Sequence, residues 1–195
     1  NITSRETATM GKSLSDLNNT NISKMVSGMS DLIKKMVEIR SSFQDTESSL
    51  RIFLGSTEKV RDFMKELTEY SKENIFEFPE LATASTQLLA MGTAEQEVIS
   101  ILDQLSNIAA ATKQPLAELV DLYTTALTTG EVDSSGLQEW AKNGVHVTDA
   151  LRQMGIEANH SNIKFENLQK VLGHLTSGNG MFAGVMASQM GDLSV

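Results

Sequence analysis

Hydrophobic positions along the chain fall into two regimes. Over residues 1–50, Leu14, Leu17, Met25, Met29, Leu32, Ile33, Met36, Ile39 and Phe43 recur at threes, fours and sevens, with Ser, Asn, Thr and Lys between them. So narrow a stripe predicts a long helical arm with a coiled-coil-like seam. A helix that simply packs on its own domain accounts for it equally well. The Asn18-Asn19-Thr20-Asn21 stretch is a poor helix former and a place for the arm to break. Met25, Met29, Leu32 and Met36 form the most concentrated part of the stripe. Methionine adapts its shape to a partner, so these four residues are the candidate assembly face.

From residue 56 onward the apolar faces are wider. Ser56 or Thr57 caps a helix carrying Val60, Phe63, Met64, Leu67 and Tyr70. Pro79 opens the next, with Leu81, Ala84, Leu88 and Met91 on one face and Gly92 at its end. Thr93 caps a third with Val98, Ile101, Leu102, Leu105, Ile108 and Ala109 inward. Pro115 starts a fourth through Leu116, Leu119, Val120, Tyr123 and Leu127. Ser134 and Ser135 open a shorter one through Leu137 and Trp140 to Gly144. "VTDALRQMG" makes two turns, and Ser161 or Asn162 precedes a last helix with Phe165, Leu168, Val171, Leu172 and Leu175. Nothing alternates with period two for more than a few residues. The predicted class is all-α, a compact domain of six to seven helices over residues 51–180 behind the arm. Residues 181–195 are expected to begin a helix that leaves the domain.

One stretch, "NIFEFPEL", is a predicted corner. Pro79 fits a first helical turn, and Phe78 before it is expected to be extended. Phe76, Phe78 and Leu81 are expected to be buried, with Phe76 or Phe78 stapling onto the first turn. Glu80 sits where a helix N-terminus favours negative charge. Phe76, Phe78, Pro79, Glu80 and Leu81 are therefore the candidate structural corner.

Composition narrows the chemistry. The chain has 195 residues, 40% of them hydrophobic, enough for one core. Formal net charge is -9, which argues against direct nucleic-acid binding. The acidity is concentrated in residues 56–110, which carry four Lys/Arg against ten Asp/Glu. There is no cysteine, so a disulfide scaffold, a thiol nucleophile and a thiolate metal site are excluded. No apolar run approaches the roughly 20 residues of a membrane span, and stable membrane insertion is not expected. Starting at Asn1 and stopping at Val195, the chain reads as a fragment truncated at both ends.

Candidate chemistry is thin. His146, His160 and His174 stand apart from one another and from helix-face carboxylates, and read as solvated or turn histidines. Glu118 with Asp121, and Glu66 with Glu69, share helix faces, but opposite the apolar stripes. Gly178, Gly180 and Gly184 follow no strand and precede no P-loop lysine. Gly180-x-x-x-Gly184 suits a small-residue helix–helix contact in an assembly. No catalytic residue, metal ligand or cofactor is expected, and the chain is expected not to be an enzyme.

The ordered blocks carry a resemblance. "FLGSTEKVRDFMKELTEYSKENIFEFPELATASTQLLAMG" resembles the tape measure domain of tailed-phage tail length tape measure proteins, through Phe76, Phe78, Pro79, Glu80, Leu81, Ala84, Leu88, Leu89 and Gly92. "LDQLSNIAAATKQPLAELVDLYTTALTTG" and "LQEWAKNGVHVTDAL" resemble the blocks that follow. His146 stands where that family favours proline, and Trp140 where it favours leucine. "IKFENLQKVLGHLTSGNGMFAGVMASQ" resembles the closing block, with Phe165, Gly178, Gly180, Met181 and Phe182 aligned. The resemblance covers residues 52–194.

The resemblance implies a phage or prophage structural scaffold for tail tube assembly. It would set tail length, lie in the virion tail interior after assembly in the host cytoplasm, and be released around DNA ejection. Implied partners are tail tube and tail assembly proteins, with self-association through helical segments. Two other readings stand beside it: a helical adaptor or scaffold of another assembly, and a peptidoglycan-cleaving tail module.

Overall fold

A computed structural model describes residues 40–41, 43–158 and 161–192. The chain divides into two units, Asn1–Phe43 and Gln44–Val195. Of the first, only residues 40, 41 and 43 are described, all helical. Met25, Met29, Leu32 and Met36 lie outside the described residues. The larger unit starts before the expected boundary at residue 50. Its first helix, α1 (44–54), buries Thr46, Leu50 and Leu54, one residue per turn.

The larger unit is all-α apart from one small ribbon. After α1 come α2 (Thr57–Lys72), α3 (Phe78–Ala90), a short 3-10 turn (Glu95–Glu97), α4 (Val98–Thr112) and α5 (Leu116–Thr129). β1 (Glu131–Asp133) then runs directly into α6 (Ser134–Lys142), followed by α7 (Val147–Gln153). β2 (Asn162–Lys164) leads into α8 (Phe165–Thr176), and α9 (Val185–Asp192) ends the described chain. The two strands pair antiparallel, Val132 opposite Ile163, with both side chains buried.

The core is built around α4. Six consecutive residues, Leu105 to Ala110, are buried, a pattern that only a helix enclosed on several sides produces. α3, α5, α8 and α9 pack on it. Phe63 and Leu67 of α2, Leu81 and Leu88 of α3, Leu119 and Tyr123 of α5, and Trp140 of α6 supply the other large buried side chains. Tyr123 meets Phe165 edge to face, ring centroids 5.2 Å apart.

Helix ends follow the punctuation in the sequence. At Gly92 the Thr93 N–H donates to Leu88 O and the Gly92 N–H to Leu89 O. This is the paired capping pattern of a helix closed by a left-handed glycine, and Gly92 has φ 96°. Gly144 and Gly155 close α6 and α7 with the same pair of bonds. Gly144 is doubly constrained: its φ is 84°, and a Cβ there would stand 2.5 Å from Thr112 Cγ2.

Several start signals shift by a residue or more. Asp133, not Ser134, caps α6, accepting from the Gly136 N–H at 2.7 Å. Thr93 does not cap α4; its hydroxyl is buried without a partner, and α4 is entered through the 3-10 turn. Residues 162–164 form a strand rather than a cap, because pairing with β1 buries Ile163.

The glycine-rich segment also differs from expectation. Gly180 and Gly184 lie in turns rather than on a helix, so they form no small-residue helix face. Gly180 is pressed against the carbonyls of His174 and Leu175, and the Phe182 N–H donates to Leu175 O at 2.7 Å. Phe182 and Met186 are buried, and α9 packs on α4. Residues 181–192 fold back onto the unit instead of leaving it. Met186 N–H donates to Asn107 Oδ1 and Gln189 Nε2 to Ala110 O, so α4 supplies both acceptors.

Candidate functional site

The predicted corner joins α2 to α3. Glu73 caps α2, and Asn74 then folds the link with its own side chain: Asn74 Oδ1 accepts from the Phe76 N–H at 3.0 Å. A side-chain amide bonded two residues on is a recurrent turn device. Glu77 is the extended residue, at φ -72° and ψ 155°, and α3 begins at Phe78 with Pro79 second. The helix thus starts one residue before the expected position: Phe78, expected to be extended before Pro79, is its first residue, and Glu77 is extended as the N-cap. Leu81 and Phe78 are buried, whereas Phe76 is only half-buried. Glu80 lies in the first turn of α3, yet its carboxyl is held above the ordinary range by desolvation and by the Glu77 carboxylate.

Behind the corner lies a polar cluster that the sequence did not reveal. Tyr70 of α2, Asn74 of the link, and Asp103 and Ser106 of α4 converge. Burial drives the Tyr70 phenol well above the tyrosine range; Ser106 pulls it back, Asp103 raises it further, and Asn74 lowers it. Even so, Tyr70 Oη, Asn74 Nδ2 and Ser106 Oγ are shut off from solvent and close no hydrogen bond of good geometry. Burial also raises the Asp103 carboxyl, with Asn107 partly offsetting it. Asn107 Nδ2 donates to Asp103 O, so one side chain links the cluster to the seat of α9. Asn74, Ser106 and Asn107 sit at helical or turn positions that the apolar pattern passes over. The only sequence signal for them was polar residues standing inside an otherwise apolar face.

The other sequence candidates stay apart. Glu118 is exposed, and Asp121 accepts from Gln87 across to α3. Glu69 is paired with Lys72, which holds its carboxyl below the ordinary value. His146 precedes α7 without a capping bond, His174 is exposed on α8, and His160 lies outside the described residues. Trp140, where the resembled family favours leucine, is fully buried. No group of three or more metal-ligating side chains occurs among the described residues. No described helix is long and apolar enough to cross a membrane.

A groove of about 150 Å³ opens between the end of α5, β1 and the start of α6. Leu122, Thr125, Ala126, Thr129, Glu131, Val132, Asp133, Gly136 and Trp140 line it. No protein-family model, curated protein or solved structure matches the chain.

Proposed function

We propose that this chain is part of the tape measure protein of a phage or prophage tail, a scaffold around which tail tube subunits assemble. It acts through shape and length rather than through bond chemistry. Its partners are tail tube and tail assembly proteins, and its own helical segments associate with one another. It occupies the tail interior after assembly in the host cytoplasm, and leaves around DNA ejection. The observation that carries this reading is the ordered series of sequence blocks over residues 52–194, from the Phe76-to-Leu81 corner to the Gly178–Phe182 segment. An acidic chain suits a channel through which DNA later passes, because like charge keeps it from adhering to phosphates.

Mass spectrometry of purified tails tests it. Peptides from residues 52–194 are expected in intact particles and are expected to be depleted after triggered ejection. Their absence from intact tails would overturn the reading.

A further inference from the structure

At Asn107 one side chain serves two helices. Its Nδ2 donates to Asp103 O, one turn back in α4, at 2.8 Å, and its Oδ1 accepts from the Met186 N–H at 3.2 Å. The second bond gives α9 what its own sequence lacks. The first N–H groups of a helix have no partner within it, and the side chain just before the helix usually supplies one. The residue before α9 is Gly184, which has no side chain, so α4 supplies the acceptor from 79 residues away. Gln189 Nε2 in turn donates at 3.0 Å to Ala110 O, one of the last carbonyls of α4, which ends at Thr112. Each helix completes one end of the other.

Apart from that exchange, α9 is thinly held. It has eight residues, fewer than the roughly 12–15 that an isolated helix needs in water. Of its described side chains only Met186 is buried; Val185, Gln189 and Met190 are half-buried, and Ala187 and Ser188 are exposed. Gly184, at φ 67°, joins it to the rest of the unit. Just before that glycine, Phe182 is fixed independently: its ring is buried and its N–H donates to Leu175 O. α4, by contrast, is also enclosed by α3, α5 and α8.

We infer that α9 is a strap that opens and closes on α4 as a unit of its own, pivoting at Gly184, with Phe182 as the fixed anchor and Asn107 as the latch. Helix and seat are coupled. Too short to be helical by itself, α9 loses its helix when it lifts, and lifting opens the Asn107 amide and the Ala110 carbonyl to water. Opening exposes Met186 and breaks two side-chain bonds to α4, whereas exposing the amides of α4 requires the whole core to come apart.

Amide hydrogen exchange on the full chain, read residue by residue by NMR, tests this. The amides of residues 186–190 are expected to be protected, yet to exchange about 100-fold or more faster than those of residues 102–109 in α4. Asn107→Ala should speed exchange in α9 about twofold to tenfold, and Gln189→Ala likewise, with α3 and α5 unchanged. Gln189 lies outside α4, so its variant still decides the matter if Asn107→Ala disturbs the core. Amides of α9 that exchange at the rate of α4, that show no protection, or that respond to Gln189→Ala either not at all or only together with α3 and α5, would overturn the inference.

Discussion

Ser106 puts a hydroxyl on the central helix of the core. Its side chain is fully buried on α4, and Oγ closes no hydrogen bond. A buried, unpaired hydroxyl costs about 1–3 kcal/mol, and alanine is the better helix former. Ser106→Ala is therefore expected to leave stability unchanged or raise it by about 1 kcal/mol, read from chemical denaturation. A clear loss would show that Ser106 and Tyr70 hold each other by a real bond. Asp103 nearby gives a pH-dependent counterpart. Its pKa is raised on folding, so the folded state binds more protons than the unfolded chain between the ordinary value of 3.8 and the raised one. Stability contributed by this group therefore falls as pH rises through that window. Asp103→Asn should raise the urea midpoint at neutral pH and leave it unchanged below pH 3.8. Gly180 makes the opposite demand. A Cβ there would be driven into backbone carbonyl groups of α8, which cannot move aside as a flexible side chain does. Gly180→Ala is expected to cost about 1–3 kcal/mol. Gly173→Ala, where a Cβ meets nothing within 4 Å, should not be destabilising, and equal effects at both sites would contradict the packing described for residues 177–182.

At the scale of elements, α2 to α8 were legible wherever a wide apolar face ended in a glycine. Gly92, Gly144 and Gly155 close helices as their positions suggested, because a left-handed cap needs a residue without a Cβ. The ribbon was not legible. Val132 and Ile163 are single apolar residues between polar ones, and three residues are too few to establish a period. What fixes the strands is a contact between positions 31 residues apart, Val132 and Ile163, which local pattern cannot encode. The fold-back of α9 was missed for the same reason. One of its anchors, the Met186 N–H, donates to Asn107, which lies 79 residues before it. Of the candidate sites, the corner was read in outline, whereas the polar cluster and the groove were not seen. The corner also yields an element-level prediction. Phe78 is buried and Phe76 only half-buried, so Phe78→Ala should cost about 3–5 kcal/mol and Phe76→Ala distinctly less. Thermal unfolding of the two variants decides the order; an equal or reversed pair would mean that the Asn74 turn, not α3, sets the strength of the corner.

For the molecule as a whole, the described unit is a helical body with no group of three or more metal-ligating side chains among its described residues. The four Asp/Glu of α2 are matched by four Lys/Arg, whereas residues 73–103 carry six Asp/Glu and no Lys/Arg. In the scaffold role proposed above, the unit would act by occupying space and meeting partners. A scaffold that sets length makes a quantitative demand: tail length must follow the number of helical residues in the full protein, at about 1.5 Å for each. Electron microscopy of tails from a phage or prophage carrying this gene measures that directly. Inserting roughly 60 helix-forming residues upstream of Gln44, in frame in the full-length gene, should lengthen the tail by about 90 Å with a narrow spread. Tails of unchanged mean length, built with the enlarged protein present, would contradict the account.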